Sequence, residues 1–344
     1  MNTNDLSASV PVSPTATGSE RVRKHGPRTN ALDAIAEVDL TGRTILITGT
    51  TSGIGTETAR AFALKGAHVV MANRNIVQAE ALKKRILDEK PDAQIDMIMC
   101  DLSSLQSVQA AANEFKEQHW PLHVLVLNAG VFCPSQKTTI DGLETTFGVN
   151  HVAHQYLVRE LLPLLRQSHA RIVIVSSHSH NHTGLKAEMS VEEKIAKLCP
   201  QENNNELGYR LYAYSKLCNV LMAMKLHRDE NKNGISVYVL HPGSMIGTEI
   251  SRSWGILSKV WNVIARPFTK SLSQGAATTV YCAASPEVLD VSGKYWESCW
   301  DDEKSLDVPL AHDDLLQEAL WEKTDKILDK FESSRKPITT VSDA

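Results

Sequence analysis

Tyr212 and Lys216 are the two side chains in this sequence whose types and spacing best suit proton transfer. They stand four residues apart in a segment, Leu211 to Leu226, that predicts a helix, so both project from one helix face. A nearby positive charge lowers the pKa of a tyrosine from its usual value of about 10 towards the range of efficient acid–base catalysis. The pair alone is weak evidence, because a buried ring four residues before a solvated lysine is common in helices with no catalytic role.

A glycine-rich turn follows the first predicted strand. The apolar, β-branched run 44–48 predicts a buried strand, residues 49–55 form the turn, 57–65 predict a helix and 67–72 a second strand. Strand, glycine turn, helix and strand make the βαβ unit that binds a dinucleotide. The glycines let the backbone approach a pyrophosphate at the helix N-terminus, where N–H groups are unpaired.

The same alternation continues along the chain. Further strands are predicted at 94–100, 122–127, 171–175 and 235–240, and further helices at 78–90, 104–118 and 149–166. Apolar strands that alternate with helices indicate an α/β fold: a single Rossmann-type, doubly wound parallel sheet with helices on both faces.

Small and polar residues stand where the predicted strands end. They are Asp101 with Leu102, the run Asn128-Ala129-Gly130, Ser177, and Pro242 with Gly243. Ligands of open parallel sheets bind at the carboxyl ends of the strands. These residues and the glycine turn are therefore expected to surround one site.

Three segments are predicted. Residues 1–38, rich in Ser, Thr and Pro, form a disordered tail with a short helical lead-in near residues 31–35; 39–330 form the folded domain, and 331–344 a flexible C-terminal tail. Residues 1–38 contain no Trp, so no WW domain, the small module that binds Pro-rich peptides, is expected there.

Composition excludes several classes of function. The 344 residues carry a net charge of −4, which gives no sign of a nucleic-acid partner. Six scattered cysteines indicate reduced intracellular thiols, and no apolar run is long enough to span a bilayer. With no secretory signal, a cytoplasmic location is expected.

The motifs resemble those of the short-chain dehydrogenase/reductase family. Thr48-Gly49-x-x-x-Gly53-Ile54-Gly55 is similar to its cofactor turn, and Asn128-Ala129-Gly130 to a motif that steadies its sheet. The resemblance implies that the catalytic residues are Asn150, Ser177, Tyr212 and Lys216, with Ser177 preferred over its neighbours Ser176 and Ser179. Tyr212 would exchange a proton with the substrate oxygen, and Ser177 would bind the same oxygen. Lys216 would hold the cofactor ribose and lower the Tyr212 pKa, and Asn150 would hold a water.

The resemblance also implies a nicotinamide cofactor. Its binding residues would be Gly49, Thr51, Ser52, Gly53, Ile54, Gly55, Arg74, Asp101, Leu102, Asn128, Ala129, Gly130, Tyr212, Lys216, Pro242, Gly243 and Thr248.

A narrower likeness concerns one branch of this family. The runs 141–147, 266–270 and 274–283 resemble retinol-dehydrogenase-like members. The resemblance also implies a homodimer through the helices that bear Asn150 and Tyr212.

The cofactor is predicted to be NADP(H) rather than NAD(H). Sites for NAD place a carboxylate after the second strand to bind the ribose 2′-hydroxyl. This sequence has Asn73 and Arg74 there, and a guanidinium pairs with a 2′-phosphate. The alternative is that Arg74 only begins the next helix in solvent.

An apolar alcohol or carbonyl, retinoid-, steroid- or lipid-like, is the predicted substrate. Between Pro242 and Arg266 the apolar residues outnumber the charged residues Glu249, Arg252 and Lys259. The segment 254–268 has apolar residues at helical spacing, which fits either a lid that touches a membrane surface or a helix packed on the core.

Two other functions and one metal site remain as alternatives. The chain could be a dinucleotide-binding regulatory or interaction protein with weak turnover, although the intact quartet argues against this. A sugar-nucleotide epimerase also uses Tyr-x-x-x-Lys, but with a different glycine spacing. His178, His180 and His182 would share one side of an extended segment, yet no carboxylate or cysteine stands beside them at ligand spacing, so no metal is predicted.

Overall fold

A single parallel sheet organises the computed structural model, which describes residues 22–201, 204–243 and 270–334. The described residues contain a sheet of seven strands in the order β3-β2-β1-β4-β5-β6-β7, and every neighbouring pair is parallel. The strands are β1 Thr44–Thr48, β2 His68–Asn73, β3 Ile95–Met99, β4 Val124–Leu127, β5 Arg171–Val175, β6 Ser236–His241 and β7 Lys294–Glu297. The strand order reverses between β1 and β4, which is the point where such sheets bind dinucleotides.

Helices cover both faces of this sheet. Among them are α1 Ala31–Ala34, α2 Gly53–Leu64, α3 Ile76–Glu89, α4 Leu105–Glu117, α5 Ala153–Gln167, α6 Val191–Leu198, α7 Gly208–Glu230, α8 Leu272–Ala284 and α9 Asp314–Ser334. Neighbouring side chains of β1 point to opposite faces: Leu46 joins one apolar cluster, Ile45 and Ile47 the other. The predicted Rossmann-type fold is confirmed.

Packed structure begins before residue 39, where the sequence predicts the domain boundary. Ala31, Ala34 and Ile35 are buried in the same cluster as α8, and the Ala31 N–H donates to Ser273 Oγ at 3.1 Å. These apolar side chains are buried mainly because α8 covers them, with a smaller contact to α2, and α8 lies far away in the sequence. At the other end, α9 continues to Ser334, past the predicted end at 330.

The C-terminal helix α9 lies over α5 and α7. Gln155 Nε2 on α5 donates to Asp325 Oδ1 at 3.1 Å, and Lys225 Nζ on α7 lies 2.9 Å from Glu318 Oε2. The chain's own helix therefore covers the helices through which a homodimer is predicted. A homodimer through them stays a prediction, and α9 would have to move or take part in it.

The charged segment 194–197, which precedes Tyr212 in the sequence, is less exposed than its charges indicate. The sequence predicts solvated surface for residues 194–197, yet Lys194 on α6 is buried at 2% exposure. Its Nζ donates to the Ala187 carbonyl at 2.8 Å and to Asp313 Oδ2 at 2.9 Å, just before α9. This pairing offsets part of the cost of burying the ammonium group.

None of the helices within the described ranges combines the length and apolar character needed to cross a bilayer.

Candidate active site

The glycine turn between β1 and α2 is built for close backbone approach. Gly49 has φ +72°, and a Cβ at Gly55 would lie 2.1 Å from the Gly49 carbonyl oxygen. Asn128 Nδ2 ties the turn to β4, donating to the carbonyls of Thr48 and Gly49 at 2.9 Å each. A side chain at Gly55 would collide with the turn itself, so glycine here allows the close packing of the turn and α2 that a dinucleotide-binding βαβ unit needs.

The N-terminus of α2 faces this turn. Ser52 at the N-cap makes no side-chain hydrogen bond to the helix. The first N–H groups of α2 are thus not satisfied by a capping side chain, and they attract a negatively charged ligand. These features fit a dinucleotide phosphate group.

A cleft of about 590 Å³ runs along the carboxyl edge of the sheet at this point. It collects most of the residues predicted to bind cofactor: Gly49, Thr51, Ser52, Gly53, Ile54, Gly55, Arg74, Asp101, Leu102, Asn128, Ala129 and Gly130. Asn73 also lines it, and its side chain accepts from the Thr50 N–H at 2.7 Å and donates to Thr50 Oγ1 at 2.8 Å. Asn73 therefore shapes the turn, while Arg74 is exposed beside it.

A smaller cavity of about 190 Å³ adjoins the cleft and holds the predicted proton-transfer groups. Ser177, Tyr212 and Lys216 line it together with Pro242 and Gly243, which are two of the predicted cofactor residues. The two spaces share three lining residues, Ile54, Gly130 and Val131. Predicted residue Thr248 and the segment 254–268 lie outside the described residues.

Burial governs the acidity of Tyr212. It raises the pKa of the phenol to about 12, and a hydrogen bond with Ser177 opposes this rise. Lys216 Nζ lies 5.5 Å from the centre of the Tyr212 ring. The protein groups together thus hold the Tyr212 pKa above its usual value, whereas the resemblance implies a lowering by Lys216.

Lys216 is a buried cation at the back of the small cavity. Its Nζ donates to the Val175 carbonyl at 3.0 Å, and burial lowers its pKa to about 8. Ser176 and Ser177 both line the small cavity, but the Ser176 hydroxyl donates to the Lys216 carbonyl at 2.7 Å and so supports the helix.

Asn150 lies behind the cavity, in a π-helical turn, Gly148–Val152, that leads into α5. Its Oδ1 accepts from the Val131 N–H at 2.7 Å, and its Nδ2 donates to the Val131 carbonyl and to Ser215 Oγ at 3.0 Å each. Both hydrogens of the amide nitrogen are therefore used in protein contacts, and Oδ1 accepts one hydrogen bond. Any water held by Asn150 would have to bind to an oxygen, either Oδ1 or the backbone carbonyl.

Sequence reasoning missed three residues of this site. Val131 lines both spaces, Phe132 packs edge-on against the Tyr212 ring at 5.0 Å, and Ser215 binds Asn150. Val131 and Phe132 directly follow Asn128-Ala129-Gly130, so their place at a strand end was the available signal. Nothing in the sequence marks Ser215.

The three alternating histidines are not arranged as predicted: the ring centres of His178 and His182 lie 5.5 Å apart, whereas His180 is buried. Residues 178–182 form a 3₁₀ turn instead of an extended segment, because the Ser177 oxygen caps it by accepting from the Ser179 N–H at 3.2 Å. His180 is buried, with Nδ1 2.7 Å from the Ser177 carbonyl oxygen and Nε2 accepting from the Asp307 N–H at 3.2 Å. Its role is to pack this turn, and the described residues hold no cluster suited to a metal ion.

Comparison with known proteins agrees with this site. A family model for short chain dehydrogenases matches residues 43–187. A WW domain-containing oxidoreductase of Pongo abelii is 41% identical over 309 residues, which cover 89% of this chain and 73% of that protein. The chain belongs to the short-chain dehydrogenase/reductase family.

Two further comparisons add a named relative and a solved structure with the same fold. Retinol dehydrogenase 12 of Mus musculus is 37% identical over 264 residues, covering 76% of this chain and 79% of that protein. A solved structure, a putative uncharacterized protein from Mycobacterium Paratuberculosis, shares the fold with a TM-score of 0.62 at 25% identity, covering 86% of this chain and 97% of that one. The predicted likeness to the retinol-dehydrogenase-like branch is confirmed. The runs 141–147, 266–270 and 274–283 also predict a likeness to the dehydrogenase domain of WW domain-containing oxidoreductases, and the match over 309 residues of the chain confirms it.

Proposed function

We propose that this short-chain dehydrogenase/reductase interconverts an apolar alcohol and its carbonyl compound with NADP(H). The observation that carries the proposal is the meeting of Ser177, Tyr212 and Lys216 on a small cavity that adjoins the dinucleotide cleft. A carbonyl group in the small cavity would lie beside both a proton donor and a cofactor bound in the cleft.

The choice of NADP(H) rests on the end of β2. Asn73 stands where NAD sites carry a carboxylate, and its amide is committed to Thr50. Arg74 lines the cleft next to it and is exposed. A guanidinium there favours a ribose 2′-phosphate, which a carboxylate would repel.

An apolar substrate is supported by the described wall of the small cavity. Val131, Phe132, Val175 and Pro242 contribute apolar surface, and Lys216 is the only charged residue among the described lining residues. Lys216 donates to the Val175 carbonyl and is assigned to the cofactor ribose in this proposal, so a carboxylate or phosphate on the substrate would have to compete for its remaining N–H groups. The name retinol dehydrogenase 12 of a relative fits this class. The segment 254–268, with Trp254 and Trp261, is proposed as an apolar lid.

The residues divide the chemistry among themselves. The nicotinamide supplies the hydride when bound. Tyr212 Oη gives its proton to the carbonyl oxygen, and Ser177 Oγ hydrogen-bonds the same oxygen, which stabilises the charge that develops on it. Lys216 favours the phenolate that Tyr212 becomes, and Phe132 excludes water from one side of the ring.

The proposal has three further parts. They are a cytoplasmic location, peripheral contact of segment 254–268 with a membrane surface, and a homodimer. The six cysteines are free thiols, which fits a reducing compartment. Sedimentation of the purified chain tests the homodimer: a species of about 37.9 kDa at micromolar concentration contradicts it.

A matched substrate series tests the function. Straight-chain aldehydes of increasing length, and the same chains ending in a carboxylate, are compared by kcat/KM with NADPH and NADH. We expect kcat/KM to rise with apolar length and the anionic members to be poor, since burying hydrocarbon gains about 25 cal/mol per Å². If short or anionic members are favoured, and Trp254→Ala and Trp261→Ala leave the ranking unchanged, the apolar-substrate proposal is wrong. Saturable NADPH binding without turnover of any member would favour the regulatory alternative.

A further inference from the structure

His154 is a fully buried imidazole that touches both Asn150 and Thr48, the last residue of β1 before the glycine turn. Its exposed fraction is 0%. Nε2 lies 3.0 Å from Thr48 Oγ1, at the end of β1, and Nδ1 lies 3.2 Å from the Asn150 carbonyl oxygen. His154 has no role in the cofactor binding or the proton transfer proposed for this site.

The contacts of Thr48 fix the position of the ring proton on His154. Thr48 Oγ1 accepts the N–H groups of Asn128 at 3.0 Å and Ala129 at 3.1 Å, which fills both of its lone pairs. Its own hydrogen must be donated, and His154 Nε2 at 3.0 Å is closer than the Val126 carbonyl at 3.4 Å. Nε2 is therefore the acceptor, and Nδ1 carries the proton and donates it to Asn150.

His154 stays neutral in this place. A second ring proton would point at a hydroxyl oxygen with no lone pair left to receive it. Burial, with a smaller effect of the Lys216 charge, lowers the pKa of His154 to about 3. The imidazole thus neither gives nor takes a proton during turnover, and its contribution is to hold its two partners.

Asn150 connects His154 to the wall of the small cavity. The Asn150 amide brackets Val131, which lines both spaces. A Cβ at Gly130 would lie 3.3 Å from Asn150 Oδ1 and 3.5 Å from Lys216 Nζ, so the three groups are packed together. A rotation of the π turn would therefore move Val131 and disturb the surroundings of Lys216.

We propose that His154 is a positioning residue that couples the glycine turn to Asn150. Through Nε2 it orients the Thr48 hydroxyl that anchors Asn128 and Ala129 beside the cofactor cleft. Through Nδ1–H it fixes the Asn150 carbonyl and with it the wall of the small cavity. The effect on turnover rests on the proposed function, whereas the hydrogen-bond arrangement does not.

The arrangement is tested directly by NMR on protein with ¹⁵N-labelled histidine, using His154→Asn to assign the signal. We expect the Nδ1–H tautomer for His154, unchanged from pH 6 to pH 8. An Nε2–H tautomer, or a ring that becomes protonated in this range, overturns the proposal.

Three variants separate the two contacts. Glutamine keeps an acceptor near the Nε2 position, asparagine keeps a donor near the Nδ1 position, and leucine removes both. We expect His154→Gln to lower kcat about tenfold with little change in the Kd for NADPH, and His154→Asn to weaken NADPH binding about tenfold with a smaller loss of kcat. His154→Leu should show both losses.

His123→Leu is the matched control, because His123 Nδ1 accepts from the Thr44 N–H at 3.0 Å at the opposite end of β1. It should lower stability without changing the Kd or the pH profile of kcat. If the His154 variants behave like wild type, or if they lose stability alone as His123→Leu is expected to, His154 is merely structural and the proposal fails. A wild-type chain that binds NADPH without turnover contradicts the proposed function, while the tautomer and the Kd values still decide on His154.

Discussion

At the scale of single residues, the site is built from groups whose burial changes their chemistry. Burial raises the pKa of Tyr212 to about 12 and lowers that of Lys216 to about 8. Both shifts favour the neutral forms, so a charged Lys216 is more costly here than at the surface. Two predictions follow from Lys216 and from Arg74.

Reduction of a carbonyl should lose efficiency as pH rises through about 8. Below that value Lys216 is charged and favours the developing Tyr212 phenolate; above it the charge disappears. The stability of the fold depends on pH in the opposite direction. A folded-state pKa below the unfolded value means that burial of charged Lys216 destabilises the fold at low pH, and this penalty fades from about pH 8 upwards. A profile of kcat/KM that is flat from pH 7 to 10 would contradict the assigned role of Lys216.

Arg74→Ala should reduce the preference for NADPH over NADH. Loss of a charge-assisted contact with the 2′-phosphate should weaken NADPH binding by about tenfold to a hundredfold and leave NADH nearly unaffected. Arg85→Ala is the control, since Arg85 is an exposed arginine farther along α3. Equal Kd changes in the two variants, or tighter binding of NADH by the wild-type chain, would refute the predicted cofactor preference.

At the scale of elements, periodicity and turn chemistry predicted most of the sheet. β1 and β5 have the predicted bounds because continuous β-branched runs between turn residues are unambiguous. β7, Lys294–Glu297, was not predicted, since four residues with charged ends carry no strand pattern and pairing with β6 decides its conformation. The π turn at Asn150 was also beyond prediction, because a helical pattern does not distinguish i+4 from i+5 hydrogen bonding.

The buried ion pair between α6 and the start of α9 has a measurable consequence. Lys194→Ala should lower the free energy of unfolding by about 1–3 kcal/mol, because the half-buried Asp313 then loses its cationic partner and keeps only backbone N–H donors such as that of Leu316. Lys197→Ala, on the exposed face of the same helix, should change it by less than about 0.5 kcal/mol. Chemical denaturation measures both. Equal denaturation midpoints for the two variants would contradict this prediction and would fit the solvated surface predicted from the sequence.

At the scale of the whole molecule, the sheet brings distant segments to one edge. The glycine turn follows β1, Asn128 follows β4, Ser177 follows β5 and Pro242 follows β6. The sequence predicted this convergence because parallel strands share their carboxyl edge. It did not predict the cover of α5 and α7 by α9, since the side chains of α9 find their partners only after the chain has folded back.

The central claim is that Tyr212 is the proton donor of a hydride-transfer reaction. Its most direct test is NADPH oxidation by the wild-type chain and Tyr212→Phe with one long-chain aldehyde, with NADPH affinity and unfolding measured in parallel. Removing only the hydroxyl should leave the Kd for NADPH and the stability close to wild type, while kcat falls by about a thousandfold or more. Turnover by Tyr212→Phe within about threefold of wild type would contradict the account.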